Sequence, residues 1–223
     1  MCGRLNVIDD PFVRALMAAL GLPVYPKDRL NIAPGAAAQI VVRTPKETEL
    51  VDAVWSLLIE PKPKGKGYRP HPKWHTFNAQ STRLKSSRLW SAPYKAQRAI
   101  IPASGFHEWK DGQCFNVQTV DAPMALAGLY KTWCFDDRSV VSFTVITLPP
   151  QKAFRHIHAK SFPLMLLPDE YDKWLDPALT QTGALDYLLK TGIRQNIIVS
   201  PILDPHNLEA VDEPELISAS PGS

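Results

Sequence analysis

The residue with the sharpest chemistry in this 223-residue sequence is Cys2. A cysteine at that position is small enough for the preceding Met1 to be removed, which leaves a cysteine with a free α-amine. Such an amine titrates near pH ~8, far below lysine, so much of it is a neutral nucleophile at physiological pH. With the thiol two atoms away, the pair forms a 1,2-aminothiol. It can condense with an aldehyde to an imine and then close a five-membered thiazolidine ring through sulfur. The plain alternative is that Cys2 is a small apolar residue with no chemical task.

A second feature is charge. The formal net charge is only +3, yet residues 61–107 hold ten Lys or Arg (Lys62, Lys64, Lys66, Arg69, Lys73, Arg83, Lys85, Arg88, Lys95, Arg98) and no Asp or Glu. Residues 195–223 carry five acids and no Lys or Arg. Tyr68, Trp74, Phe77, Trp90 and Tyr94 lie among the cations. Cations for phosphates and aromatic faces for bases make up the composition of a single-strand nucleic-acid groove. The competing reading is a solvated basic loop whose aromatics belong to the core. His71/His75 and His156/His158 have metal-compatible spacing, but each pair lacks an obvious third ligand, so no metal and no organic cofactor is expected.

Elements must position these groups. Hydrophobic residues make up 45% and charged residues 21%, a globular balance that excludes wholesale disorder. No apolar run approaches the ~20 residues of a membrane-spanning helix, and the first residues lack the apolar stretch of a signal peptide, so a soluble, cytoplasmic protein with no membrane partner is expected. Cys2, Cys114 and Cys134 are odd in number and share no CxxC spacing, which argues against a disulfide framework. Asp10-Pro11 caps a helix closed by Gly21, with Phe12, Leu16, Ala19 and Leu20 as its apolar face. Residues 38–43, 50–58, 98–102, 114–118, 125–131, 140–148 and 196–202 read as strands. Helices are expected over 168–175 and 176–190, a flexible basic loop over 60–75, and a fraying acidic tail over 204–223 after a domain spanning 1–203. Strands dominate without regular helix alternation. The fold class is therefore α+β: one domain on a curved, partly barrel-like, mostly antiparallel sheet with peripheral helices.

Several short blocks occur in order along the chain: Met1-Cys2-Gly3-Arg4, Leu30-Asn31-Ile32-Ala33-Pro34, Trp55-Ser56-Leu57, Asn78-Ala79-Gln80-Ser81, Ile101 to Trp109, Ala127-Gly128-Leu129 and Ile157-His158. Together they resemble the SRAP family (SOS-response-associated peptidases, abasic-site DNA–protein crosslinkers) over about residues 1–170. The resemblance implies four catalytic positions. Cys2 supplies amine and thiol. Glu108 moves protons during sugar ring opening and water loss. His158 stabilises the imine or oxyanion. Asn78 orients the N-terminus. Taken singly, Glu108 also fits a surface ion pair, His158 a core histidine and Asn78 a turn cap.

The resemblance further implies an abasic-site sensor that forms a thiazolidine crosslink in single-stranded DNA, with lyase-type Schiff-base chemistry and no cofactor. DNA contacts are expected from Gly3, Arg4, Asn31, Pro34, Trp55, Gln80, Arg83, Lys85 and Arg88, Trp55 being equally readable as a core indole. Gln80 stands where the family has Arg and Thr82 where it has Glu. A Lys/Pro/Gly-rich insert replaces the second Trp of the Trp-Gly-Leu block, and Lys160-Ser161-Phe162-Pro163 replaces Arg-Met-Pro. These departures touch DNA affinity more than covalent chemistry. The rival readings are a cysteine (auto)peptidase using Cys2, His158 and Asn78, which would remove Met1, and a non-covalent single-strand-binding module. A monomer is expected.

Overall fold

The computed structural model describes residues 3–220. In chain order it contains β1 (Arg4–Val7), α1 (Pro11–Ala19), β2 (Arg29–Ile32), β3 (Ala37–Arg43), β4 (Thr48–Trp55), β5 (Ile59–Pro61), β6 (Tyr68–Pro70) and β7 (Asn78–Gln80). Then follow α2 (Ser91–Ala96), β8 (Arg98–Ala103), β9 (Gly105–Lys110), β10 (Gln113–Thr119), β11 (Met124–Phe135) and β12 (Arg138–Leu148). The last are β13 (Phe162–Pro163), β14 (Met165–Leu166), α3 (Tyr171–Leu175), β15 (Ile197–Asp204), β16 (Asn207–Ala210) and β17 (Glu215–Ile217).

Two larger sheets organise these strands. In one the order is β16-β15-β10-β9-β1-β2, with β17 also on β15. In the other, β12, β4, β3, β8 and β11 follow one another and β11 returns to β12, so five strands close into a barrel that leaves no free edge. Most pairings are antiparallel; β12 is the exception, running parallel to both β4 and β7. The curved, barrel-like sheet expected from the strand pattern is the architecture found.

Two apolar clusters flank the barrel wall. Ile40, Val42, Ile101, Phe143 and Val145 meet Leu5, Phe106, Val117 and Val199 of the open sheet. On the opposite side of the same strands, Val41, Ile100, Ala125 and Ala127 pack under Leu16 and Met17 of α1, Tyr94 of α2 and Trp174 of α3. Strands buried on both faces read as unbroken apolar runs, which is why β3 and β8 were visible without alternation. Gly128 lies where β11 crosses this packed wall. A Cβ there would come within 2.3 Å of Ile101 Cδ1 and 2.6 Å of the Thr144 carbonyl, so only glycine fits. Arg98 is withdrawn from the surface: its guanidinium donates to the carbonyls of Trp174, Tyr94, Lys95 and Asp176.

Four expectations need correction. Residues 176–190 do not form an α-helix; after Asp176 the chain turns, and only Thr182–Leu189 coils, as a 3-10 helix. Among the described residues the acidic segment is not left as a tail: β16 and β17 both pair with β15. The basic loop is braced as the β5–β6 hairpin. Finally, α1 buries Val13, Leu16 and Met17 rather than Phe12 and Ala19, a face rotated by about one residue. Its Asp10 cap does form, accepting from the Val13 N–H at 2.8 Å. Among the described residues no helix is long and apolar enough to cross a membrane.

Candidate active site

The site is built on β9. Successive side chains of a strand point to opposite faces. Phe106 and Glu108 therefore share one face, where Phe106 joins the core, and His107 and Trp109 share the other. Glu108 is only 4% exposed. Its Oε2 lies 3.1 Å from Nδ1 of His158. Burial pushes the Glu108 carboxyl up to about 7 and the His158 imidazole down to about 4. Near neutrality the imidazole is therefore uncharged, and the carboxyl is poised between its two forms. The pair can hold one movable proton between acid and base, as general acid–base catalysis requires.

His158 reaches this place from the turn after β12. The 3-10 helix Lys152–Phe154 ends in two backbone bonds, Ile157 N–H and His158 N–H both donating to the Phe154 carbonyl. Asn78 opens β7, opposite Val145 of β12, so it and His158 depend on one strand for their placement. Trp55 sits just behind it. Its indole N–H donates to the Phe77 carbonyl at 2.8 Å, and its ring stacks on Phe143 at 6.0 Å. Trp55 is fully buried, and its hydrogen bond holds the backbone just before Asn78.

β1 brings the start of the chain to the same strand. Arg4 pairs with His107, the residue before Glu108, and its guanidinium lies 5.7 Å from the Trp109 ring centroid. The Gly3 carbonyl accepts from Arg4. Cys2 lies outside the described residues. Behind β9 a buried polar cluster locks β1 in register. The Asn6 amide nitrogen meets Nε2 of His107 at 2.6 Å and the Asn116 carbonyl oxygen at 3.2 Å. Asn6 also accepts from the Asn31 N–H at 2.9 Å. With the amide donating, Nε2 is the acceptor, and burial holds His107 at about 4, so it stays neutral. Asn6, His107 and Asn116 were not singled out in the sequence; polar residues inside short strands carry no periodic signal.

The expected DNA contacts are spread more widely. Asn31, at φ 53°, places its amide 3.0 Å from Nε2 of His206 on the β15–β16 turn, and Pro34 is half-buried in the turn after β2. Gln80 lines a cleft of about 200 Å³ with Ser81, Thr147, Lys160 and Ser161, two residues past His158. Arg83 and Arg88 are exposed and edge a cavity of about 410 Å³ with Trp74, His75, Ser87 and Trp90. Lys85 is ion-paired with Asp186 at 2.5 Å. Trp74 is 61% exposed, whereas Trp90 and Tyr94 are core residues. Lys160 and Trp74 line these two cavities and were not named as site residues from the sequence. Among the described residues no three His, Cys, Asp or Glu side chains cluster as a metal set would.

The model of the SOS response associated peptidase (SRAP) family matches residues 1–204. The chain belongs to the SRAP family. Among curated proteins, this SRAP chain is 25% identical to the abasic site processing protein YoqW of Bacillus subtilis, over 98% of this chain and 100% of that one. It is 27% identical to the abasic site processing protein YobE of the same organism, over 85% of this chain and 88% of that one. Among solved structures, a crystal structure of a Bordetella bronchiseptica protein superposes with a TM-score of 0.70 at 20% identity, covering 91% of the SRAP chain and 100% of the other. That likeness shows the fold.

Proposed function

We propose that this protein captures abasic sites in single-stranded DNA by forming a thiazolidine crosslink through Cys2 after Met1 is removed. The observation that carries the reading is the buried Glu108–His158 pair, 3.1 Å apart, on the strand that receives the first described strand of the chain. The names of the relatives YoqW and YobE support the substrate.

The chemistry runs as follows for the open aldehyde of an abasic deoxyribose. The Cys2 amine adds to the carbonyl carbon and gives a carbinolamine. Glu108 in its acid form donates a proton to the departing hydroxyl, water leaves, and an imine forms. The thiol then adds to the imine carbon: the C–S bond forms, and the thiol proton ends on nitrogen. One water is lost overall, and nothing is oxidised or reduced. Glu108 returns to its acid form through His158, whose neutral imidazole accepts and passes protons. Ring closure removes the Schiff base before β-elimination cuts the strand. The cleft with Gln80, Lys160 and Ser161 suits a phosphate next to the lesion. Trp74, Arg83 and Arg88 suit a base and phosphate further along.

The test is a denaturing gel with Met1-processed protein and single-stranded DNA bearing one abasic site, against the same strand with a tetrahydrofuran analogue that has no aldehyde. The expected result is a heat-stable shifted band with the abasic strand alone, lost in Cys2→Ala and slowed about 10²–10⁴-fold in Glu108→Gln. A chain with a confirmed free Cys2 amine that gives no shifted band sinks the proposal and leaves the non-covalent binder.

A further inference from the structure

We propose that the lysine-rich β5–β6 hairpin is a second seat for the DNA strand, gripping phosphates of the single-stranded flank that leads away from the lesion. The proposal rests on the reading above.

The hairpin tip is Lys62-Pro63-Lys64-Gly65-Lys66-Gly67, and every one of these residues is exposed. Among the described residues none of its three lysines forms an ion pair. The nearby carboxylate of Glu60 is already neutralised by Arg69 across the hairpin, at 2.6 Å. The tip therefore presents uncompensated positive charge, which draws a polyanion.

This charge is held in place rather than left on a free loop. The Lys62 N–H donates to the Gly67 carbonyl at 3.0 Å. Tyr68 packs on Phe135 of the protruding β11–β12 arm, ring centroids 5.0 Å apart, and Phe135 stacks on Trp133 at 6.0 Å. The aromatic side of the hairpin is thus occupied by protein, and the lysines face out. At the other end, Pro70 abuts Gly35, where an added Cβ would come within 2.8 Å of its Cδ. From Pro70 the chain leads directly to Trp74 and His75 of the cation-lined cavity and on to Asn78. Leu58 lines the same cavity and directly precedes β5, so the base of the hairpin adjoins it. The tip of the arm, just past Phe135, carries the exposed carboxylates of Asp136 and Asp137. A single polymer spanning cavity and hairpin accounts for the exposed cations at both places, Arg83 and Arg88 at the one and Lys62, Lys64 and Lys66 at the other; an acidic protein segment on the hairpin alone does not.

The test compares wild type with the Lys62→Ser/Lys64→Ser/Lys66→Ser variant, whose exposed changes leave the fold untouched. Binding of tetrahydrofuran-containing single strands of about 5 and about 20 nucleotides, lengths that bracket ordinary single-strand site sizes, is followed by anisotropy across a salt series. The expected result is a salt slope on the long strand shallower by about 2, the share of three phosphates, with no change on the short strand. An unchanged slope and affinity on the long strand overturn the proposal, as does an equal loss on both lengths. A variant that loses an acidic peptide but keeps DNA moves the partner to protein and overturns it too. Crosslinking by wild type, run alongside on true abasic DNA, is scored separately. A crosslink with no slope change sinks the hairpin proposal alone, and a missing crosslink sinks the proposed function while the slope remains readable.

Discussion

His158 Nδ1 and Glu108 Oε2 face each other at 3.1 Å as an inverted ion pair. Burial raises the carboxyl to about 7 and lowers the imidazole to about 4, so the proton that would normally sit on histidine rests on the glutamate. The geometry is that of a salt bridge, and between about pH 4 and pH 7 the chemistry is that of a neutral acid next to a neutral base.

This inversion has a measurable stability signature. A carboxyl whose proton affinity rises on folding makes the chain less stable as pH climbs from about 4.5 to about 7. An imidazole whose affinity falls makes it more stable as pH climbs from about 4 to about 6.5. The two trends oppose each other in the wild type. Glu108→Gln removes the first, so its stability relative to wild type should rise across that window, by about 3 kcal/mol at 1.36 kcal/mol per unit. Urea denaturation at several pH values checks this; a constant difference refutes the raised carboxyl.

Trp55→Phe tests whether the indole positions the site. It removes the bond to the Phe77 carbonyl and should cost about 1–3 kcal/mol, with slower crosslinking and an unchanged salt dependence of DNA binding. A changed salt dependence would return Trp55 to the DNA surface.

Arg98→Met leaves four backbone carbonyls without their donor. Urea denaturation should show a loss of about 3 kcal/mol or more, while the affinity of the remaining folded protein for single-stranded DNA stays the same. A selective loss of affinity would show that this arginine does not spend its charge inside the fold.

Arg88→Ala should lower the salt slope of single-strand binding by about 0.7, the value for one phosphate. An unchanged slope in the same titration would exclude Arg88 from the DNA path.

What the sequence disclosed follows from how each element is buried. β3 and β8 were legible because both of their faces are packed, giving the apolar runs Ile40–Val42 and Ala99–Ala103, and β12 because it is rich in β-branched residues. β9 was read only as a motif, since Gly105-Phe106-His107-Glu108 buries two ionisable side chains on opposite faces and alternates nothing recognisable. Glu108 and His158 were named from the family resemblance, but nothing linear says that residues fifty apart touch. The short β1, β16 and β17 owe their existence to partners far along the chain, which no local propensity records. Trp55 was ambiguous because an indole suits a base and a core equally; in the structure it is buried with its N–H on the Phe77 carbonyl.

The pairing of β1 with β9 also sets a clock during synthesis. Arg4 waits for His107, so the first strand leaves the ribosome without its partner until about a hundred further residues are made. At about 5–20 residues per second that is on the order of 5–20 s. Throughout this interval the N-terminal segment is open to processing enzymes. The removal of Met1 that the proposed function requires has this interval in which to act, before β1 docks.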